Sequence, residues 1–123
     1  MITVMIFDDN TTILEICSFI LIEKGYKVFT ETSCVDVIEK IHKCKPQVIL
    51  MDNKIPEAGG VAATQIIKRT EATKNIPVIF FSGNSNIEKL SKDAQADCFL
   101  KKPFGINELE HLIKQFTGSS SPE

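Results

Sequence analysis

Five residues carry most of the chemistry open to this chain. The run ITVMIF ends in Asp8-Asp9, QVILM in Asp52, PVIFF in Ser82-Gly83, and CFL in Lys101-Lys102-Pro103. If those runs lie side by side, Asp8, Asp9 and Asp52 meet with a hydroxyl and an ammonium. Three carboxylates brought together repel one another and raise each other's pKa unless a cation joins them. Mg²⁺ (or Mn²⁺) suits such a group, because it takes hard oxygen ligands and keeps several waters. A carboxylate beside a divalent ion and a lysine can attack phosphorus and hold an aspartyl-phosphate. The ammonium and hydroxyl then share the charge on the phosphoryl oxygens. Singly, these residue types are common caps, turn formers and surface charges. Their conjunction at four of the run ends is the signal.

The elements that must position them follow from the hydrophobic pattern. Residues 2–7, 27–30, 47–51, 77–81 and 98–100 are short and rich in Val, Ile and Phe. The three longest are almost continuously apolar, as strands covered on both faces are. Between them apolar residues recur with helical period: Ile13, Ile16, Cys17, Ile20, Leu21; Val35, Ile38, Ile41; Ala62, Ile66, Ile67; Ile87, Leu90, Ala94; and Ile106, Leu109, Leu112, Ile113, Phe116. Asn10 or Thr11 is expected to cap the first helix, Gly25 to end it, and Ser33 to cap the second. Strict strand–helix alternation predicts an α/β fold with a parallel sheet, helices on both faces and right-handed crossovers. In such sheets the functional groups gather outside the carboxyl ends of the strands.

Composition sets the class. The chain has 123 residues, with 14 Lys plus Arg against 16 Asp plus Glu, a formal charge of −2. That length suits one domain and leaves no room for a separate output domain. The charge balance argues against a phosphate-backbone reader, so no nucleic-acid partner is expected. The four cysteines, Cys17, Cys34, Cys44 and Cys98, form no C-x-x-C pair and read as small buried fillers. The longest apolar stretch, residues 13–22, is short for a span and broken by Glu15 and Ser18, so no membrane contact is expected. No leader pattern opens the chain, which points to a reducing, cytoplasmic setting. Residues 1–117 form the expected domain and residues 118–123 a disordered tail.

The ordered set of Asp8-Asp9, Asp52 with Pro56 and Gly60, Ser82, and Lys102-Pro103-Phe104 resembles the receiver domain of two-component response regulators, over nearly the whole chain. The resemblance implies a flavodoxin-like five-stranded sheet of order 2-1-3-4-5 with five helices. It implies that Asp52 accepts a phosphoryl group from a sensor histidine kinase or a histidine phosphotransfer protein. Asp8, Asp9 and Asp52 would hold the metal with the backbone carbonyl of Lys54. Lys102 would pair with the phosphoryl group before a cis Pro103. Ser82 and Phe99 would form the switch, so that the protein signals by protein contact. Its chemistry would be limited to its own phosphorylation and dephosphorylation, as a switch rather than an enzyme, in a monomer or weak dimer.

Some positions depart from the family pattern. Lys54 and Asn84 lie two residues after Asp52 and Ser82, flanking the path of attacking water, so an altered dephosphorylation rate is expected. Gly59-Gly60 doubles a usual single glycine, and Gln95 stands where a glycine often closes the fourth helix, so a shortened fourth helix or a mobile loop before it is expected. The first helix has apolar residues to spare. Leu14, Ser18 and Ile22, with Phe19, are read as an outward stripe that docks the kinase or phosphotransfer protein. His42 and His111 read as surface residues. Two other classes compete: an interaction module without chemistry, and a Mg²⁺-dependent phosphohydrolase. The retained Asp8, Asp9, Asp52, Ser82 and Lys102 speak against the first. Lys54, in place of a second acid, and the missing cap domain speak against the second.

Overall fold

The computed structural model describes residues 1–54 and 59–118. Pro56 and residues 119–123 lie outside the described residues. Strands β1 (Thr3–Phe7), β2 (Lys27–Glu31), β3 (Val48–Asp52), β4 (Val78–Ser82) and β5 (Cys98–Lys101) alternate with helices α1 (Thr11–Glu23), α2 (Val37–Cys44), α3 (Gly59–Arg69), α4 (Ile87–Ala94) and α5 (Ile106–Thr117). The sheet order is β2-β1-β3-β4-β5, and every pairing is parallel.

The continuous apolar runs of β1, β3 and β4 follow from a core on each side of the sheet. Met5, Phe7, Ile49, Met51 and Phe80 pack with Ile41, Ala63, Ile67 and Ile87 from α2, α3 and α4. The alternate residues Val4, Ile6, Leu50, Ile79 and Phe81 pack with Leu14, Cys17, Leu21, Leu109 and Ile113 from α1 and α5. Both faces of each central strand are thereby dry, and period-2 polarity has no place in them.

Helix α1 differs from its expected orientation. Asn10 caps it through a hydrogen bond from the Ile13 N–H, and Gly25 follows with φ +96°. Its buried residues are Leu14, Cys17 and Leu21. Leu14 is therefore core rather than docking surface, Ser18 is half-buried, and Ile13 and Ile20 lie at the margin. Phe19 and Ile22 are 68% and 55% exposed, and Ile16, expected inside, is also out.

The second helix also starts later than expected. The Ser33 hydroxyl accepts the Val35 N–H in a local turn, Asp36 takes a left-handed conformation, and the helix begins at Val37. Val35 is left exposed, and Val37 takes its place inside. In α3 the buried face is Gly60, Ala63, Thr64 and Ile67, with Ile66 exposed. Helix α4 is short, as expected, and ends on Gln95 at φ +66°. Gly118 closes α5 at φ +69°, so it belongs to the helix cap rather than to the tail. Among the described residues no helix is long and apolar enough to cross a membrane.

Candidate functional site

Parallel strands in register deliver their carboxyl ends to one edge, and the site is built there. Asp8 follows β1, Asp52 ends β3, Ser82 ends β4, and Lys102 follows β5. With Asp9, Asn10, Lys54, Gly83 and Asn84 they line a cleft of about 320 Å³. Asp8, Asp52 and Ser82 are buried and Asp9 is exposed, so the cleft has a dry floor and one solvated carboxylate.

Lys102 organises the floor. Its ammonium donates to Asp8 Oδ2 at 2.9 Å and to Asp52 Oδ1 at 3.0 Å. The Lys102–Pro103 peptide bond is cis. The other carboxylate oxygens accept backbone donors: Asp8 Oδ1 from Asn10 N–H at 2.9 Å, and Asp52 Oδ2 from Lys54 N–H at 3.1 Å. Ser82 is fixed likewise, since its Oγ accepts the Asn84 N–H at 3.0 Å and its carbonyl accepts the Lys102 N–H.

The charges do not balance in this arrangement. Burial pushes the Asp8 carboxyl above its ordinary pKa, and the nearby Asp52 charge adds to the rise, against the Asn10 and Lys102 hydrogen bonds. Burial pulls the Lys102 ammonium down, but its bonds to Asp8 and Asp52 more than offset this and leave it above the lysine range. A carboxyl whose folded pKa is raised contributes most stability below its unfolded pKa. That contribution is lost as pH rises through the folded value. The Asp8 charge thus costs the metal-free protein stability at neutral pH. Asp8→Asn is expected to stabilise the metal-free protein by about 1 kcal/mol at pH 7 and to flatten the fall in stability above pH 4. Thermal melts in chelator across pH check both.

Asp8, Asp9 and Asp52 each offer an oxygen within 4.8 Å of the others. All are hard carboxylate donors, each oxygen keeps a spare lone pair beyond the hydrogen bonds above, and the cleft carries surplus negative charge. The donor set fits a divalent ion of the Mg²⁺ class.

The other singled-out residues lie at the cleft rim or outside it. Lys54 is exposed at the cleft rim, and Phe99 is 40% exposed on β5, beside Ser91 and Lys92 of α4. Phe19 and Ile22 stand on α1, outside the cleft. His42 and His111 are exposed on α2 and α5. Sequence reasoning missed Phe81, whose ring lies under the Lys102 ammonium at 4.6 Å. It also missed the groove lined by Ile13, Ile16, Ile20, Pro103, Phe104 and Ile106.

Comparison with known proteins agrees with the geometry. The response regulator receiver domain model matches residues 4–114. PilG of Pseudomonas aeruginosa is 31% identical over 121 residues, covering 97% of this chain and 90% of PilG. The polar-differentiation response regulator DivK of Brucella ovis is 25% identical over 121 residues, covering 96% of this chain and 98% of DivK. A response regulator crystal structure from Chloroflexus aurantiacus superposes with a TM-score of 0.88 at 25% identity, covering 94% of this chain and 97% of that one. The receiver domain of sensor histidine kinase PA1611 from Pseudomonas aeruginosa, solved with magnesium coordinated in its active-site cleft, shares the fold. Its TM-score is 0.86 at 24% identity, covering 95% of this chain and 98% of that one. With this fold, the acidic cluster at its carboxyl edge and a match across residues 4–114, the chain belongs to the receiver-domain family of two-component response regulators.

Proposed function

We propose that Asp52 accepts a phosphoryl group from the phosphohistidine of a sensor histidine kinase or histidine phosphotransfer protein, and that the phosphorylated protein signals through altered protein contacts. The observation that carries this is the Asp52 carboxylate itself. It is buried at the cleft floor, held by the Lys102 ammonium and the Lys54 N–H, and lies beside two further carboxylates. In the transfer an Asp52 oxygen attacks phosphorus and the P–N bond breaks. The electron pair leaves on the imidazole nitrogen, which takes a proton. Asp8, Asp9 and Asp52 would hold Mg²⁺ or Mn²⁺ with the Lys54 carbonyl. A divalent ion there supplies charge neutralisation. Lys102 then pairs with a phosphoryl oxygen, and Ser82 exchanges its Asn84 contact for another while Phe99 repositions. The same reading makes the protein a cytoplasmic switch, a monomer or weak dimer, that contacts proteins rather than DNA or membrane.

Phosphotransfer profiling against purified phosphorylated histidine kinases and phosphotransfer proteins, with Asp52→Asn as control, tests the reading. Transfer from at least one donor to the wild type and none to Asp52→Asn is expected. Undiminished incorporation in Asp52→Asn overturns it.

Two predictions attach to the surroundings of the site. Lys54 stands at the cleft rim, where an ammonium can neutralise or orient the phosphoryl group. Lys54→Ala is expected to change the aspartyl-phosphate lifetime by about three-fold, read from decay after donor removal. An unchanged lifetime removes Lys54 from the mechanism. Phe19 and Ile22 remain as the exposed part of the docking stripe. Replacing both with serine is expected to slow transfer from the kinase by about ten-fold while leaving acetyl phosphate equally effective. Equal slowing with both donors rejects docking.

A further inference from the structure

Phe81 is wholly buried on β4, immediately before Ser82, and its ring face lies 4.6 Å from the Lys102 ammonium. Phe104, two residues beyond Lys102, meets the same ring edge-on, with centroids 6.0 Å apart and planes at 71°. Two Lys102 donors are engaged by Asp8 and Asp52, and the Phe81 ring covers another side. An ammonium over an aromatic face is attracted by the ring quadrupole, more strongly where water is excluded. An aliphatic side chain at this position would offer bulk but no such attraction.

We infer that Phe81 is a positioning residue: its ring face holds the Lys102 ammonium at the Asp52 carboxylate, where the phosphoryl oxygens must be neutralised. The inference rests on the phosphoacceptor reading above. The effect of Phe81 is electronic as well as steric, and the two separate cleanly. Fluorine atoms on the ring drain electron density from its face while hardly changing its shape.

The test places phenylalanine with one, two or three fluorines at position 81 by site-specific incorporation in the full chain. Phosphorylation of Asp52 by acetyl phosphate with Mg²⁺ is then timed. In that reaction Asp52 attacks phosphorus, the bond to the acetyl oxygen breaks, and acetate leaves with the electron pair. The same series at Phe80, a buried ring in the opposite core layer, is the control. The rate is expected to fall stepwise with fluorine number at position 81, to about one-fifth with three. It should stay constant in the Phe80 series, with both series folded as judged by circular dichroism. A flat response at position 81, or equal declines at both positions, overturns the inference. Failure of the unmodified protein to take phosphate on Asp52 refutes the phosphoacceptor reading instead, so the two failures are distinct.

Discussion

Lys102→Met is expected to slow phosphorylation of Asp52 by about a hundred-fold and, in the same protein, to tighten the binding of Mg²⁺. The opposite signs have one cause. The ammonium is the counter-ion for Asp8 and Asp52, at 2.9 and 3.0 Å. On the proposed function it would oppose a divalent cation in the resting cleft and assist phosphorus chemistry once phosphoryl oxygens arrive. Without metal, the substitution leaves two buried carboxylates facing each other, and a loss of about 3 kcal/mol of stability is expected. Added Mg²⁺ is expected to restore most of that loss. Calorimetric titration, melts in chelator and acetyl phosphate kinetics read the three effects. Unchanged metal affinity together with an unchanged rate contradicts the role given to Lys102.

Gly60→Ala is expected to be nearly as damaging, although Gly60 touches no substrate. A Cβ there would run into the backbone carbonyl of Asp52 and come within 2.8 Å of Asn53 Cα. Backbone cannot turn aside as a side chain can. The Gly60 N–H also donates to the Asn53 carbonyl at 3.0 Å, which binds the first turn of α3 to the end of β3. The methyl group forces that turn away and drags Asp52 from Lys102. A cost of about 3 kcal/mol and loss of most phosphorylation are expected. Gly59→Ala is the comparison. Among the described residues nothing lies within 4 Å of its added Cβ, but its φ of +81° carries strain of about 1 kcal/mol. Melting and phosphorylation of the two variants check the contrast. Equal melting points and rates for Gly60→Ala and wild type refute the close-approach account.

Much of this site was legible because Asp8, Asp52 and Ser82 directly follow continuous apolar runs, with Asp9 and Lys102 within two residues of a run's end. A strand buried on both faces announces itself, and ligands of open parallel sheets gather outside the carboxyl ends. Helix α1 was misread because apolar residues occupy most of its circumference, TTILEICSFILIE. Periodicity could not choose among its faces. Packing chose the face of Leu14, Cys17 and Leu21, and so moved Leu14 from the docking stripe into the core. The late start of α2 was hidden because Ser33 satisfies a turn N–H as readily as a helical one. The Phe81–Lys102 contact was invisible, since it joins residues of two strand ends whose side-chain directions only the folded sheet supplies.

The central claim is that Asp52 is the phosphoryl acceptor. The protein is treated with acetyl phosphate and Mg²⁺, reduced with borohydride, digested, and sequenced by tandem mass spectrometry. Borohydride converts an aspartyl-phosphate to homoserine and leaves free aspartate intact. The account predicts homoserine at position 52 alone, and none when Mg²⁺ is chelated. Homoserine at position 8 or 9 with an intact Asp52 would contradict it.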